Sequence, residues 1–358
     1  MGKLTDEEFR DFLKTCRELA EGPFEEMQRE VEVTNKFPQE FIDLARENNL
    51  YRYALPEEYG GWGFTEKEIL QVQEEFSRGP GGMRMHLHYA ADLNWRILDD
   101  YGCDELKAAY MDKFADKTIF TCFALTEQTG GTGADVHTTA TKDADGKIHI
   151  NGTKTWVTSG ENSDGFIVVC KDEDPSAENK EMSMYLVPAN SKGVTIEPLN
   201  KIGMQIMPFS KIIFDDVVVD ESALLGIKGK GFLQLMKNFE WERCVLLAEL
   251  LGEAQAAMDD ACAWVNERQQ FGKGIKTFQL VQEHIVEMQI ELTNTRNFLY
   301  RTCWKMDNGI PVNNDAAMLK RYGAPALTDC CSRALQLMGG LGFTDETRVS
   351  RLMLDCRG

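Results

Sequence analysis

The feature that most restricts this chain is a double change of texture along its length. The first 118 residues read as helices: Phe9, Phe12, Leu13 and Cys16 recur at helical spacing, and FPQEFIDLARENNL is a second amphipathic stretch. The segment LPEEYGGWG interrupts them and must turn, because its proline and glycines suit neither regular element. From residue 119 short β-branched and aromatic runs take over (IFTCFALT, KIHINGTKTWVT, GFIVVC, MSMYLVP, VTIEP, KIIFDDVVV), separated by Gly, Asp, Asn and Pro. That pattern predicts a small antiparallel β-domain over 119–225. After GIKGKGF the chain returns to long helical patterns with few breakers over 226–358. The expected fold class is α+β, with an N-terminal helical domain, a central antiparallel β-domain and a C-terminal helical bundle.

Charge and composition narrow the function. A net charge of −19 argues against nucleic-acid binding, which needs a basic face. It does not exclude an anionic ligand, since backbone N–H groups and a few arginines hold phosphates locally. No apolar run is long enough to span a bilayer, and the start MGKLTDEEFRDFLKTC resembles neither a secretory signal nor an Arg-rich transit peptide. Met1-Gly2 is not a myristoylation signal, because position 6 is Asp. Ten cysteines without a C-x-x-C pair, several inside apolar runs (Cys122, Cys170), point to buried thiols in a reducing cytoplasm. His86 and His88 face different sides of a helix and have no spaced third ligand, so no metal site is expected.

One carboxylate stands out. In GFLQLMKNFEWERCVLLAELLG the residues Phe232, Leu235, Met236, Phe239 and Leu246 form one stripe, and Glu242 lies at its edge. A carboxylate beside an apolar face is costly unless paired or protonated. A buried salt bridge, an exposed edge residue and a catalytic base all fit that position. Trp156 is equally open, as a core aromatic of the β-domain or as a flat wall for a ligand.

Six motifs, in order along the whole chain, resemble the acyl-CoA dehydrogenase family: LPEEYGGWG, FALTEQTGGTGADV, NGTKTWVTSG, KIGMQIMPFSKIIFDDVVV, ERQQFGKGIKTFQLVQEHIVEM and LQLMGGLGF. FQLVQE and LYRTCWKMDNG look closest to its crotonobetainyl-CoA reductase-like members. The resemblance implies FAD, proton transfer at Cα, hydride exchange between Cβ and flavin N5 of an acyl-CoA or enoyl-CoA thioester, and a tilt towards enoyl-CoA reduction. No G-x-G-x-x-G follows a strand, so an electron-transfer flavoprotein is the implied electron partner.

The resemblance also implies residue roles. Phe123, Leu125 and Thr126 would meet the flavin's pyrimidine edge, with Trp156 on its face and the Thr158 hydroxyl near N5. The following loop departs from the family's T-E-P-G-A-G-S-D: two residues look inserted, and Ala134 stands where Ser is expected, after Gly133. Glu127 and Asp135 read as structural residues flanking that loop. Arg268, Phe271 and Gln279, with Gln336, Gly339 and Gly340, match the motifs that reach FAD from a neighbouring subunit, which implies a homodimer or homotetramer. Glu242 matches the helix-borne catalytic base of some members, and Arg243 a CoA-facing or helix-anchoring cation. The sequence ends at LMLDCRG, just before the loop that carries the base in most members, so the chain reads as truncated. Two rivals remain: a same-fold oxidase or monooxygenase on a non-CoA substrate, and a non-catalytic relative.

Overall fold

The computed structural model describes residues 3–34, 37–117, 119–130, 135–173 and 181–358. Helices α1 (Asp6–Glu21), α2 (Pro23–Thr34), α3 (Gln39–Glu47) and α4 (Glu66–Phe76) open the chain. Thr5 and Thr65 each close a capping box with the glutamate three residues on, which satisfies the first free N–H groups of α1 and α4. The LPEEYGGWG turn lies between α3 and α4. Gly61 is required there, because a Cβ would stand 1.8 Å from the Leu55 carbonyl oxygen.

Next come α5 (Gly81–Leu87), a π-helical turn at His88–Leu93, α6 (Asn94–Tyr101) and α7 (Asp104–Phe114). A π-turn inserts one extra residue into a helix, so it re-aims the side chains that follow it. Of residues 81–95, only Met85 and Tyr89 are not fully buried.

The β-domain contains β1 (Thr121–Ala124), β2 (Thr139–Lys142), β3 (Ile148–Thr158), β4 (Gly165–Asp172), β5 (Met182–Pro188), β6 (Val194–Pro198), β7 (Phe209–Val219) and β8 (Leu224–Leu225). Their order is β6-β7-β3-β2-β4-β5-β8, with β1 also on β4. Most pairings are antiparallel as the turn-rich pattern suggests, but β1 and β2 both run parallel to β4. They share one edge of it: β1 pairs from Gly165 to Val168, and β2 at Lys171 and Asp172. The chain departs from the sheet in the gap between them, and the candidate site opens there.

Helix α8 (Gly231–Glu267) is followed by a hairpin of β9 (Gln269–Gln270) and β10 (Lys273–Gly274), then α9 (Gln279–Asp307), α10 (Asn313–Met338) and α11 (Arg348–Arg357). Two apolar cores result. One joins the N-terminal helices to the sheet, from Phe12 through Phe41, Leu98 and Phe166 to Leu235. The other fills the C-terminal helices around Leu247, Leu251, Leu292, Leu319 and Leu327. Helix α8 contributes to both, so its middle turns lie where the two meet.

Candidate functional site

At the C-terminal end of β1 the period of two puts Cys122 and Ala124 inside and leaves Phe123 and Leu125 half-buried on the opposite face. With Thr126, Thr155, Trp156, Val157 and Thr158 they line a shallow cavity of about 170 Å³, closed by Tyr89, Phe239 and Glu242. Trp156 is no core aromatic: it is 51% exposed. The β3–β7 register slips between Lys154 and Val157, and Trp156 adopts φ 57° in that slip. A left-handed non-glycine residue costs about 1–2 kcal/mol, and such strain gathers at functional sites. Thr158 lines the same cavity as Trp156, by way of this bulge rather than by simple strand alternation.

A second cavity of about 450 Å³ backs onto the first. Met85, Met204, Met207, Pro208, Phe209, Leu246 and Leu354 give it a largely apolar wall, with Lys201 and Arg357 at its polar side. Three residues line both cavities: Tyr89, Thr158 and Glu242. A further hollow of about 690 Å³ shares Met85, Leu246, Arg357 and Gly358 with the second, and adds Arg84 and Lys320.

Glu242 is thus the carboxylate at the junction. The area it leaves open faces the cavities, and burial pushes its carboxyl above the usual range, against the pull of His88, Lys320 and Arg243. Burial likewise raises the Tyr89 phenol, and the nearby Thr158 hydroxyl opposes the rise. Behind Glu242, Arg84 lies fully buried between two carboxylates of α8: its Nε donates to Glu253 Oε1 at 2.7 Å and its Nη1 to Glu249. His88 Nδ1 stands 2.9 Å from Glu249 Oε1. Burial pushes Glu253 up to about 7 even beside Arg84.

The remaining expected cofactor residues lie elsewhere. Arg268, Phe271, Gln279, Gln336, Gly339 and Gly340 line neither cavity. Helices α9 and α10 run antiparallel, with His284 beside Arg333 and Met288 beside Cys330, so all six gather at one exposed end of the bundle. Phe271 and Phe343 there are 91% and 89% exposed. A Cβ at Gly339 or Gly340 would meet nothing within 4 Å. Only the positive φ of Gly339, 61°, gives a reason for glycine inside this chain.

Gly133 and Ala134 lie outside the described residues. Arg243 lines neither cavity, because it sits around the helix from Glu242. Glu127 is structural in its contacts: it accepts from His137 N and Thr138 N at 2.8 Å each and pairs with buried Lys154 at 2.8 Å, tying down both sides of the Gly-rich loop. Sequence reasoning missed Tyr89, Met85, Met204 and Met207. The break MQIMPF within KIGMQIMPFS hints at a loop, but nothing in the sequence marks the π-turn that delivers Tyr89.

The first cavity offers a flat ligand an exposed tryptophan on strained backbone beside the C-terminal end of β1. No group of three or more His, Cys, Asp or Glu among the described residues is spaced to hold a metal, and none of the described helices is long and apolar enough to cross a membrane.

Comparison with known proteins agrees with this layout. Family models for the N-terminal, middle and C-terminal domains of acyl-CoA dehydrogenase match residues 6–118, 122–217 and 229–358. A 3-(aryl)acrylate reductase of Clostridium sporogenes is 34% identical, over 96% of this chain and 91% of that protein. The butyryl-CoA dehydrogenase structure from Megasphaera elsdenii superposes with a TM-score of 0.91 at 28% identity, covering 99% of this chain and 94% of its own. A chain from the structure described as the electron transferring flavoprotein of Acidaminococcus fermentans, a study of flavin-based electron bifurcation, reaches 0.91 at 26% identity, covering 99% and 93%. The chain belongs to the acyl-CoA dehydrogenase family, oxidoreductases of the Cα–Cβ bond of acyl-CoA thioesters.

Proposed function

We propose that the 170 Å³ cavity receives the flavin ring of FAD, that the 450 Å³ cavity receives the acyl group of a CoA thioester, and that Glu242, at the wall between them, exchanges a proton with Cα. The observation that carries this reading is the shared wall: a single carboxylate, with Tyr89 and Thr158, borders both spaces. FAD, when bound, supplies the hydride acceptor or donor for Cβ. The protein's residues do the rest. Phe123, Leu125, Thr126, Trp156 and Thr158 seat the ring. Met85, Met207, Phe209 and Leu246 exclude water from the acyl group, which strengthens every charge effect on the proton in transit. Glu242, held in a dry site, has the raised proton affinity that suits abstraction from a weakly acidic carbon near neutral pH.

The reductive direction, enoyl-CoA to acyl-CoA, is favoured by the likeness to the aryl-acrylate reductase. Electron exchange with an electron-transfer flavoprotein fits the fold shared with the Acidaminococcus structure. Anaerobic addition of butyryl-CoA to the purified yellow protein tests the core of the reading, since a bleached flavin band is the expected result. Reoxidation of the bleached protein by cinnamoyl-CoA then tests direction and acyl class. A protein that takes up no flavin on reconstitution would end the proposal.

The exposed end of the bundle completes the FAD site of a second copy, through Arg268 on the diphosphate. A guanidinium fits a phosphate in bidentate fashion, and charge-assisted bonds of this kind contribute about 1.5–3 kcal/mol. Arg268→Ala is therefore expected to weaken FAD retention roughly 10- to 100-fold, read as the dissociation constant by flavin fluorescence. Light scattering should show at least a dimer. A monomer holding FAD as tightly as an oligomer would remove the cross-subunit part of the reading.

A further inference from the structure

The cluster behind Glu242 has more charged groups than a structural salt bridge needs. Two carboxylates of one helix, Glu249 and Glu253, are fully buried one turn apart. Arg84, also fully buried, bonds to both. One guanidinium balances only one of two carboxylates, and a buried uncompensated charge is costly. The contact cluster therefore holds one further proton, on His88 or on a carboxyl. His88 is placed to carry it. Its Nδ1 stands 2.9 Å from Glu249 Oε1. Its ring lies parallel to the Trp241 indole, with centroids 6.0 Å apart. Neither ring nitrogen meets a hydrogen-bond partner in good geometry among the described residues, and neither does Glu249 Oε1, so the approach to Glu249 is an ion-pair contact. The π-turn begins at this residue, next to Tyr89, which lines both cavities.

We propose that His88 is a positioning residue for the Cα proton transfer: set against the Glu249 carboxylate, its imidazolium is the counter-charge that sets how readily Glu242 gives up its proton. The inference rests on Glu242 being the base. The groups facing this pair come from four elements. Arg84 is on α5, and Asp92 shares the π-turn with His88. Glu249 and Arg243 share α8 with Glu242, and Lys320 approaches from α10. Among the cations, His88 acts on Glu242 most strongly, ahead of Lys320 and Arg243, and Glu249 and Glu242 in turn favour the charged form of His88 against its burial. Trp241 shields the ring's face from water, so the effect is not diluted by solvent.

An imidazolium beside Glu242 stabilises its carboxylate form, so removing that charge makes Glu242 hold its proton to higher pH. Oxidation of acyl-CoA needs the carboxylate. The pH midpoint of anaerobic flavin reduction by butyryl-CoA is then expected to move alkaline by about one unit in His88→Gln holoenzyme, with flavin content unchanged. Glu249→Gln reaches the same ring from the other side and covers the case in which His88→Gln does not fold. Without that carboxylate the buried ring goes neutral, and the midpoint again moves alkaline, although loss of an anion alone would move it the opposite way. A loss of rate with an unmoved midpoint in both variants would overturn the role of His88. Normal reduction by Glu242→Gln would instead remove the base assignment, and the inference with it.

Discussion

Glu242→Gln holoenzyme is expected to keep its flavin spectrum while its bleaching by butyryl-CoA slows about 10²- to 10⁴-fold, the usual contribution of a positioned general base. The amide keeps the shape of the side chain at the junction of the two cavities but cannot take a proton. Binding should be little affected, so the loss appears in the limiting rate of reduction rather than in the thioester concentration that half-saturates it. Folding gives an independent check. The Glu242 carboxyl is raised above its unfolded value by burial, so the folded state binds the extra proton and stability falls as pH rises past the ordinary carboxylate range. A neutral Gln lacks that dependence and should be at least as stable as Glu at pH 8 in urea unfolding. If the variant instead reduces flavin at the parental rate, another group carries the proton.

Much of this site was legible because its chemistry is local in sequence. The strand residues Phe123, Leu125 and Thr126 and the bulged Trp156 and Thr158 fall within two short segments, and the sheet brings those segments together. Of the stripe read on α8 only Leu235 is fully buried, but its members Phe239 and Leu246 do share cavity walls with Glu242. The same periodicity could not reveal the opposite case, the buried Glu249 and Glu253 seven and eleven residues further along the helix. Their partner Arg84 is more than 160 residues away, and only the packing of α5 on α8 shows that they are paired. Tyr89 was invisible for a different reason. A helical wheel drawn through HLHYAADL assumes 3.6 residues per turn, and the π-turn breaks that count at the residue that matters. Parallel pairing of β1 and β2 to β4 was likewise hidden, since short alternating strands separated by turns read as antiparallel whichever edge they join.

Arg84→Leu should destabilise the fold severely, by about 3–5 kcal/mol at pH 8 in urea unfolding. The guanidinium is the one permanently charged cation bonded to both Glu249 and Glu253, and leucine leaves two carboxyls facing each other in an apolar interior. His88 stands against Glu249, but among the described residues Glu253 has no cation in contact besides Arg84, and Lys320 on the neighbouring helix makes no ion pair within 4 Å. The loss should also depend on pH, and in a definite direction. Glu253 is already pushed up to about 7 with Arg84 present, and without it the folded state must hold that proton to higher pH still. A raised carboxyl lets the folded protein bind more protons than the unfolded chain, so stability falls with rising pH, by about 1.4 kcal/mol per unit for each proton retained. The deficit of the variant should accordingly shrink towards pH 5 and grow towards pH 8. Replacing Glu249 and Glu253 by Met in the Arg84→Leu background should recover most of it, because an apolar trio needs no desolvated charge. A deficit that is the same at pH 5 and pH 8 would mean that lost packing, not stranded charge, is what Arg84 supplies.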